Sequence, residues 1–350
     1  MRPQQDAELD LAVRCAWQAF IIGRTHEEIA ERIGTSRTRV TRLIQLAQRA
    51  GLVKVFVEGP AAACVALEER LKAGYQLQDC SVAPDLDETG LPIAALGSLG
   101  ARLLAAILQR DELHTIGIGH GRTLAATVNA LPILQRPDLR LVSLLGSLTR
   151  GAATNPYEVI FRLADRTGGR GYYVPAPFFC NSEKDRAIFL QQRDLRAALD
   201  LAAQAQVVVV GIGSPRNDRG MTEAGMVTEE ELQALVAAGA VGEILGTFVN
   251  AEGGVLDVEL SRRAIAPSLD DMRGKEVVAI AGGPSKIEAI DAVLRAGVIT
   301  HLITDEATAR ALAGHAAKSK MRADCLNGGN DVNKSQGPGV RIRKRPREPA

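Results

Sequence analysis

Residues 115–131, TIGIGHGRTLAATVNAL, read in three parts: a short apolar run over Thr115 to Ile118, a turn rich in glycine, and a helical stretch from Thr123 to Leu131. A β-type run that passes through glycines directly into a helix is the repeating unit of a parallel sheet with helical crossovers. The pattern recurs downstream. Val207 to Val210 runs into Gly211-Ile212-Gly213-Ser214, and Val277 to Ala281 runs into Gly282-Gly283-Pro284-Ser285-Lys286.

Further strands are expected at Cys80 to Ala83, Leu141 to Leu145 and His301 to Ile303. Helices are expected at Ala61 to Ala73, Ile93 to Leu108, Pro156 to Arg166, Glu229 to Ala238, Ser285 to Ala296 and Glu306 to Leu312. Residues 60–315 therefore read as an α/β domain, an open and mostly parallel sheet with helices on both faces.

Ligands of such sheets bind outside the carboxyl ends of the strands, near the point where strand order reverses. A glycine after one strand is commonly a tight turn and nothing more. Three glycine loops, two of them followed by a cation, favour a site for an anionic small molecule. Gly119 and Gly121 let backbone amides approach an anion, and Arg122, Thr123 and Lys286 supply a planar fork, a hydroxyl and a point charge suited to phosphate. Gly117, Gly119 and Gly121 do not match the dinucleotide spacing, and no acidic residue is placed for a ribose, so a nicotinamide cofactor is not expected. His120 has the chemistry of a general base. Without a connected Ser/His/Asp or Cys/His set, it reads as a ligand-contacting or solvent-facing residue, and no catalytic residue is assigned.

The N-terminal residues 1–58 follow a different rule. In THEEIAERIGTSRTRVTRLIQLAQRAG (25–51), Thr25 and Glu28 form a capping box that starts a helix at His26. Gly34 ends that helix, and Ser36 caps a second whose inner side is Val40, Leu43, Ile44 and Ala47. Ala30 at the crossing, Gly34 in the turn and Val40 as the plug are what two closely packed helices need. The outward residues of the second helix are Thr35, Ser36, Arg37, Thr38, Arg39, Thr41 and Arg42. From Arg32 to Val57 there are six basic residues and no acidic one. This is the local surface of a helix-turn-helix that reads base edges and holds phosphates. Leu52 to Val57 reads as a short wing or linker strand.

Charge elsewhere excludes binding of nucleic acid through the bulk of the chain. The net charge is +1, but residues 316–350 carry +6 and residues 1–315 about −5. Residues 316–350 are basic, rich in glycine and poor in apolar side chains, a composition expected to stay disordered. No apolar stretch reaches bilayer length and the start is acidic, so a cytoplasmic location without membrane contact is expected. The five cysteines lack ligand spacing, and no metal is expected.

With these motifs in hand, the chain resembles the SorC-type sugar-binding transcriptional regulators, sometimes grouped with DeoR. The resemblance covers residues 8–314. It rests on the helix-turn-helix above and, in order, on IGIGHGRTL, LLGSLTRGAATNPYEVIFRLADRTGG, YYVPAPFF, VVVVGIGSP, GAVGEILGTFVN, MRGKEVVAIAGGPSK and ITHLITDEATARALAG. It implies an effector domain similar to the sugar-phosphate isomerase and deaminase folds, assembly as a tetramer, and control by a phosphorylated sugar or polyol. It also implies phosphate contacts from Gly121, Arg122, Thr123 and Lys286, with Gly146, Ser147, Asn155 and Glu243 lining the sugar. The sequence departs from the family at His26, where glutamine is usual, in a thinner aromatic content of the first helix (Trp17, Phe20), at Gly146-Ser147, and in the basic tail. The expected function is an effector-responsive repressor bound to operator DNA of a carbohydrate or polyol operon. The alternative is a sugar-phosphate enzyme with an accessory DNA-binding domain.

Overall fold

Four consecutive valines, Val207–Val210, are buried at every position and form the middle strand of the sheet. A strand buried on both faces needs no alternation, because β-branched side chains pack well on either side of the pleat. Each such burial contributes roughly 1.5–3 kcal/mol before chain entropy is counted. The computed structural model describes residues 3–50, 52, 60–147, 159–216, 222 and 226–316.

Contacts divide the chain into Met1–Gly59 and Pro60–Ala350. The first unit holds α1 (Pro3–Phe20), α2 (His26–Arg32) and α3 (Arg37–Arg49). Ala12, Cys15 and Ala16 of α1 pack with Ile29 and Ala30 of α2 and with Val40, Leu43, Ile44 and Ala47 of α3. The Thr25–Glu28 capping box forms as expected, and Ser36 accepts from the Arg39 amide. Gly34, with φ +66°, takes the left-handed turn between the helices.

The second unit runs α4 (Pro60–Tyr75), β1 (Asp79–Ala83), α5 (Ile93–Leu108), β2 (Thr115–Ile118), α6 (Arg122–Ala130), β3 (Arg140–Ser143), α7 (Ile160–Thr167) and β4 (Arg170–Tyr172). It continues through α8 (Glu183–Phe189), α9 (Arg193–Ala203), β5 (Val207–Val210), α10 (Glu229–Ala237), β6 (Gly242–Ile244) and β7 (Thr247–Val249). Next come α11 (Glu259–Arg263), α12 (Leu269–Met272), β8 (Glu276–Ile280), α13 (Ile287–Arg295) and β9 (His301–Asp305), after which residues 306–316 are helical.

Seven strands lie in the order β1-β9-β8-β5-β2-β3-β4, each pair parallel. The middle strand sorts its valines by face. Val207 and Val209 join the core beneath α5, α6 and α7, while Val208 and Val210 join the core with α4, α9 and α13. Helices thus cover both faces. The chain steps from β2 outward to β3 and β4, then returns to the other side of β2 as β5, so the order reverses between β2 and β5.

Several elements go beyond the sequence reading. The edge strand β4, helices α8, α9, α11 and α12, and the antiparallel β6–β7 hairpin were not expected. The final helix runs to residue 316 rather than ending near Leu312, which corrects Ala316 from tail to helix. The wing at Val53 to Val57, Asn155, the start of the helix expected from Pro156, and residues 317–350 lie outside the described residues. Among the described residues no helix is long and apolar enough to cross a membrane, and no group of His, Cys, Asp and Glu is arranged to hold a metal. Cys15, Cys64, Cys80 and Cys180 are buried, and burial pushes the Cys80 thiol up to about 12.

Candidate functional site

β8, β5, β2 and β3 are neighbours in the sheet, so the loops leaving their carboxyl ends come together. From β2 the chain turns through Gly119, His120 and Gly121 into α6, whose first residues are Arg122 and Thr123. No side chain caps this helix among the described residues; Gly121 stands at the N-cap. The helix start is therefore left to backbone amides and to the partial positive charge of aligned peptides.

Some of the polar groups read from the sequence serve the scaffold. The Gly119 amide donates to the Val209 carbonyl at 2.8 Å, tying the loop to β5. Thr123 is buried, and its hydroxyl donates to the Ile280 carbonyl at 3.0 Å, joining α6 to β8. That proton is committed, so toward an anion Thr123 offers its backbone amide. The amide of Gly283 likewise goes to Asp305 Oδ2 at 2.8 Å and Thr308 Oγ1 at 2.9 Å. The third glycine loop is thus held by the protein itself.

Other groups converge. Lys286, in the single 3₁₀ turn before α13, donates from Nζ to the Ile212 carbonyl at 2.7 Å, which brings its charge from the β8 loop to the β5 loop. Glu243, on β6, exchanges backbone hydrogen bonds with Gly213 at 2.9 and 3.0 Å, and its carboxyl lies against Gly213. The hairpin turn behind it, Leu245 and Gly246, has positive φ at both residues. This turn directs the Gly246 amide onto Glu243 Oε1 at 2.6 Å. Burial raises the Glu243 carboxyl above the usual carboxylate range, opposed by that amide and by the Lys286 charge.

The β3 side supplies a cavity of about 360 Å³ lined by Ser143, Gly146, Ser147, Tyr173 and Ala176 among others. Its wall is a strand-like extension in which the Ser147 amide donates to Ala176 and the Phe178 amide to Ser147, at 2.8 and 2.9 Å. Ser143 Oγ donates to the Leu145 carbonyl at 2.9 Å and lies 2.9 Å from His120 Nε2. With its proton placed there, Ser143 accepts from Nε2–H, so the His120 tautomer is set by a hydroxyl. Cation, carboxylate, hydroxyl and helix start together suit a small ligand bearing hydroxyls and an anion.

In the first unit, Ser36, Arg37, Thr38, Arg39 and Arg42 are exposed, while Thr35 and Thr41 are half-buried. Arg37 lies 3.8 Å from Glu27, both largely exposed. Thr41 Oγ1 donates to the Arg37 carbonyl at 3.1 Å and contacts His26 Nδ1 at 3.0 Å. Thr41, on the outward side of α3, is thus also turned toward His26 at the start of α2.

The sugar-binding domain family model matches residues 59–313. The erythritol catabolism regulatory protein EryD of Brucella abortus is 43% identical over 309 residues, covering 88% of this chain and 98% of that protein. The transcriptional regulator LsrR of an Enterobacter species is 31% identical, covering 87% and 93%. The full-length sorbitol operon regulator SorC of Klebsiella pneumoniae shares the fold with a TM-score of 0.66 at 24% identity, covering 88% of this chain and 99% of that one.

Proposed function

Because this chain belongs to the SorC/DeoR-type sugar-binding transcriptional regulators, we propose that it binds operator DNA through α2 and α3 and is controlled by a phosphorylated sugar alcohol. It is a transcriptional regulator rather than an enzyme, as its relatives are. The observation that carries the reading is that likeness to a regulator of erythritol catabolism extends over 88% of the chain, hence into both units.

The phosphate is taken by Lys286, Arg122 and the amides of Gly121 to Thr123. Gly146 and Ser147 line the polyol, with the Glu243 carboxylate accepting from its hydroxyls and Asn155 donating to or accepting from them. Gly119 contributes the room its missing side chain leaves. Arg37, Arg39 and Arg42 of α3 hold phosphates, and Thr35 and Ser36 just before the helix, with Thr38 on it, stand nearest the base edges, Thr41 lying half-buried behind them. The protein acts in the cytoplasm as a tetramer, which spaces pairs of helix-turn-helix units on half-sites about one helical turn, or a multiple, apart. Effector binding favours one arrangement of the effector domains and so shifts the population able to hold the operator, relieving repression.

The test is calorimetric titration of the full chain with phosphates of sugar alcohols of different length, beside the unphosphorylated polyols. Saturable binding of a phosphorylated polyol, with its free polyol weak or silent, supports the reading. Tight binding of the free polyols alone removes the phosphate assignment.

A further inference from the structure

Thr41 has one hydroxyl proton, and it donates that proton to the Arg37 carbonyl, one turn earlier on α3, at 3.1 Å. In the 3.0 Å contact between His26 Nδ1 and Thr41 Oγ1 the imidazole is therefore the donor. A neutral His26 held in this tautomer has a lone pair at Nε2. His26 opens α2, and the next residue of that turn, Glu27, reaches within 3.8 Å of Arg37. The first turn of α2 thus borders the α3 face bearing Arg37 and Thr41. When the second helix of such a pair enters the groove, the first crosses the phosphate backbone.

From this we infer that His26 is a DNA-phosphate contact that engages as the imidazolium, so that operator binding takes up a proton. The inference rests on the reading that α3 enters operator DNA. Neutral Nε2 and a phosphate oxygen are both acceptors and repel; protonation makes Nε2 a charged donor. The charged residues beside His26 in the chain are Arg24, Glu27 and Glu28, and across the α2–α3 contact Arg37 reaches Glu27. Glu27 faces Arg37, Glu28 is taken up by the amide and hydroxyl of Thr25 at 2.8 and 3.0 Å, and Arg24 binds Gln18 at 2.7 Å. Both carboxylates already have partners of their own. Thr41, whose hydroxyl is spent on Arg37 and His26, acts here by positioning the ring.

A phosphate partner favours the charged ring in the complex, because only the imidazolium can donate from both nitrogens. The added affinity is then present at acid pH and lost toward alkaline pH. One further phosphate contact also steepens the salt dependence of binding by about 0.9 in log–log slope.

The experiment is fluorescence anisotropy of the full chain on the DNA upstream of its own gene, at fixed salt, from pH 5.5 to 8.5. Wild type is expected to lose roughly five- to tenfold in affinity across the histidine range, with the steeper salt slope at the acid end. His26→Gln is expected to remove that difference, and His26→Lys to keep tight, salt-steep binding at pH 8. An unchanged pH slope in His26→Gln, or equal salt slopes for wild type at both ends, overturns the inference. Arg37→Ala with Arg39→Ala serves as the separate control. If that pair binds as wild type does, the placement of α3 in DNA fails first; if it loses binding while His26→Gln titrates like wild type, the role of His26 alone fails.

Discussion

Lys286 Nζ donates to the carbonyl of Ile212 at 2.7 Å, so the loop after β8 is fastened to the loop after β5, the strand that borders the reversal of strand order. The ammonium is positioned by a backbone carbonyl and shares its surroundings with Glu243. Lys286→Ala is expected to abolish stabilisation by a polyol phosphate while costing the unliganded protein about 1.5–3 kcal/mol, the range for a hydrogen bond made by a charged group. Thermal unfolding with and without ligand reads both, and operator affinity without ligand should stay within twofold of wild type. Full stabilisation by ligand in the variant would remove Lys286 from the site.

Thr123 separates scaffold from site. Thr123→Val leaves the Ile280 carbonyl without its donor and is expected to cost about 1–3 kcal/mol in urea unfolding, with Thr123→Ser restoring most of it. Ligand affinity in folded Thr123→Val should change little, because the hydroxyl proton points to Ile280. A large loss of affinity without loss of stability would mean that the hydroxyl meets the ligand.

Gly146 permits a close approach that no other residue allows. A Cβ there would stand 2.3 Å from the Ala176 carbonyl oxygen. Gly146→Ala is expected to destabilise by about 1–3 kcal/mol and to weaken ligand binding, since the wall formed by Ser147 and Ala176 must shift. Unfolding and calorimetry on the same preparation would show both effects, and unchanged ligand affinity would place the polyol elsewhere.

Glu243 carries a pH signature. Its folded-state pKa is raised above the unfolded value by burial. Its contribution to stability is therefore complete below the ordinary carboxylate pKa, and is lost as pH rises from there through the raised value. Glu243→Gln should accordingly gain stability relative to wild type at neutral and alkaline pH and gain nothing at acid pH. A constant difference across the range would contradict burial as the cause.

Arg37→Ala combined with Arg39→Ala is expected to weaken operator binding at least tenfold and to lower its salt slope by about 1.8, two contacts' worth. Thermal stabilisation by the polyol phosphate should be untouched. Anisotropy and thermal unfolding together decide it, and loss of both functions would argue against the two units having separate tasks.

Legibility of this fold followed burial. The four valines of β5 and the Thr25–Glu28 capping box carry their structure in local pattern, and both were readable from sequence. β4 was not, because its three residues are all exposed at the sheet edge and offer no apolar run. α8 buries none of its residues and so has no stripe to read. In α9 the stripe of Leu195, Ala198, Leu201 and Ala202 is half alanine, which blunts the helical signal. The β6–β7 hairpin turns on Leu245 and Gly246, without the Asn-Gly or Asp-Gly pair that marks such turns. Among candidate site residues, Arg122 and Lys286 stand out in the sequence because glycine loops and cations are local features. The role proposed for His26 has no local signal, because it depends on which way a hydroxyl on another helix points its proton.

Coupling between the two units is tested most directly by titrating a polyol phosphate into the complex of the full chain with its upstream DNA, at fixed salt and pH. Wild type should release the DNA with a midpoint at the ligand's own dissociation constant, raised by the coupling factor, and Lys286→Ala should hold the DNA throughout. If wild type keeps its DNA at saturating ligand, or if Lys286→Ala releases it as wild type does, the account of an effector-controlled regulator acting through this site is wrong.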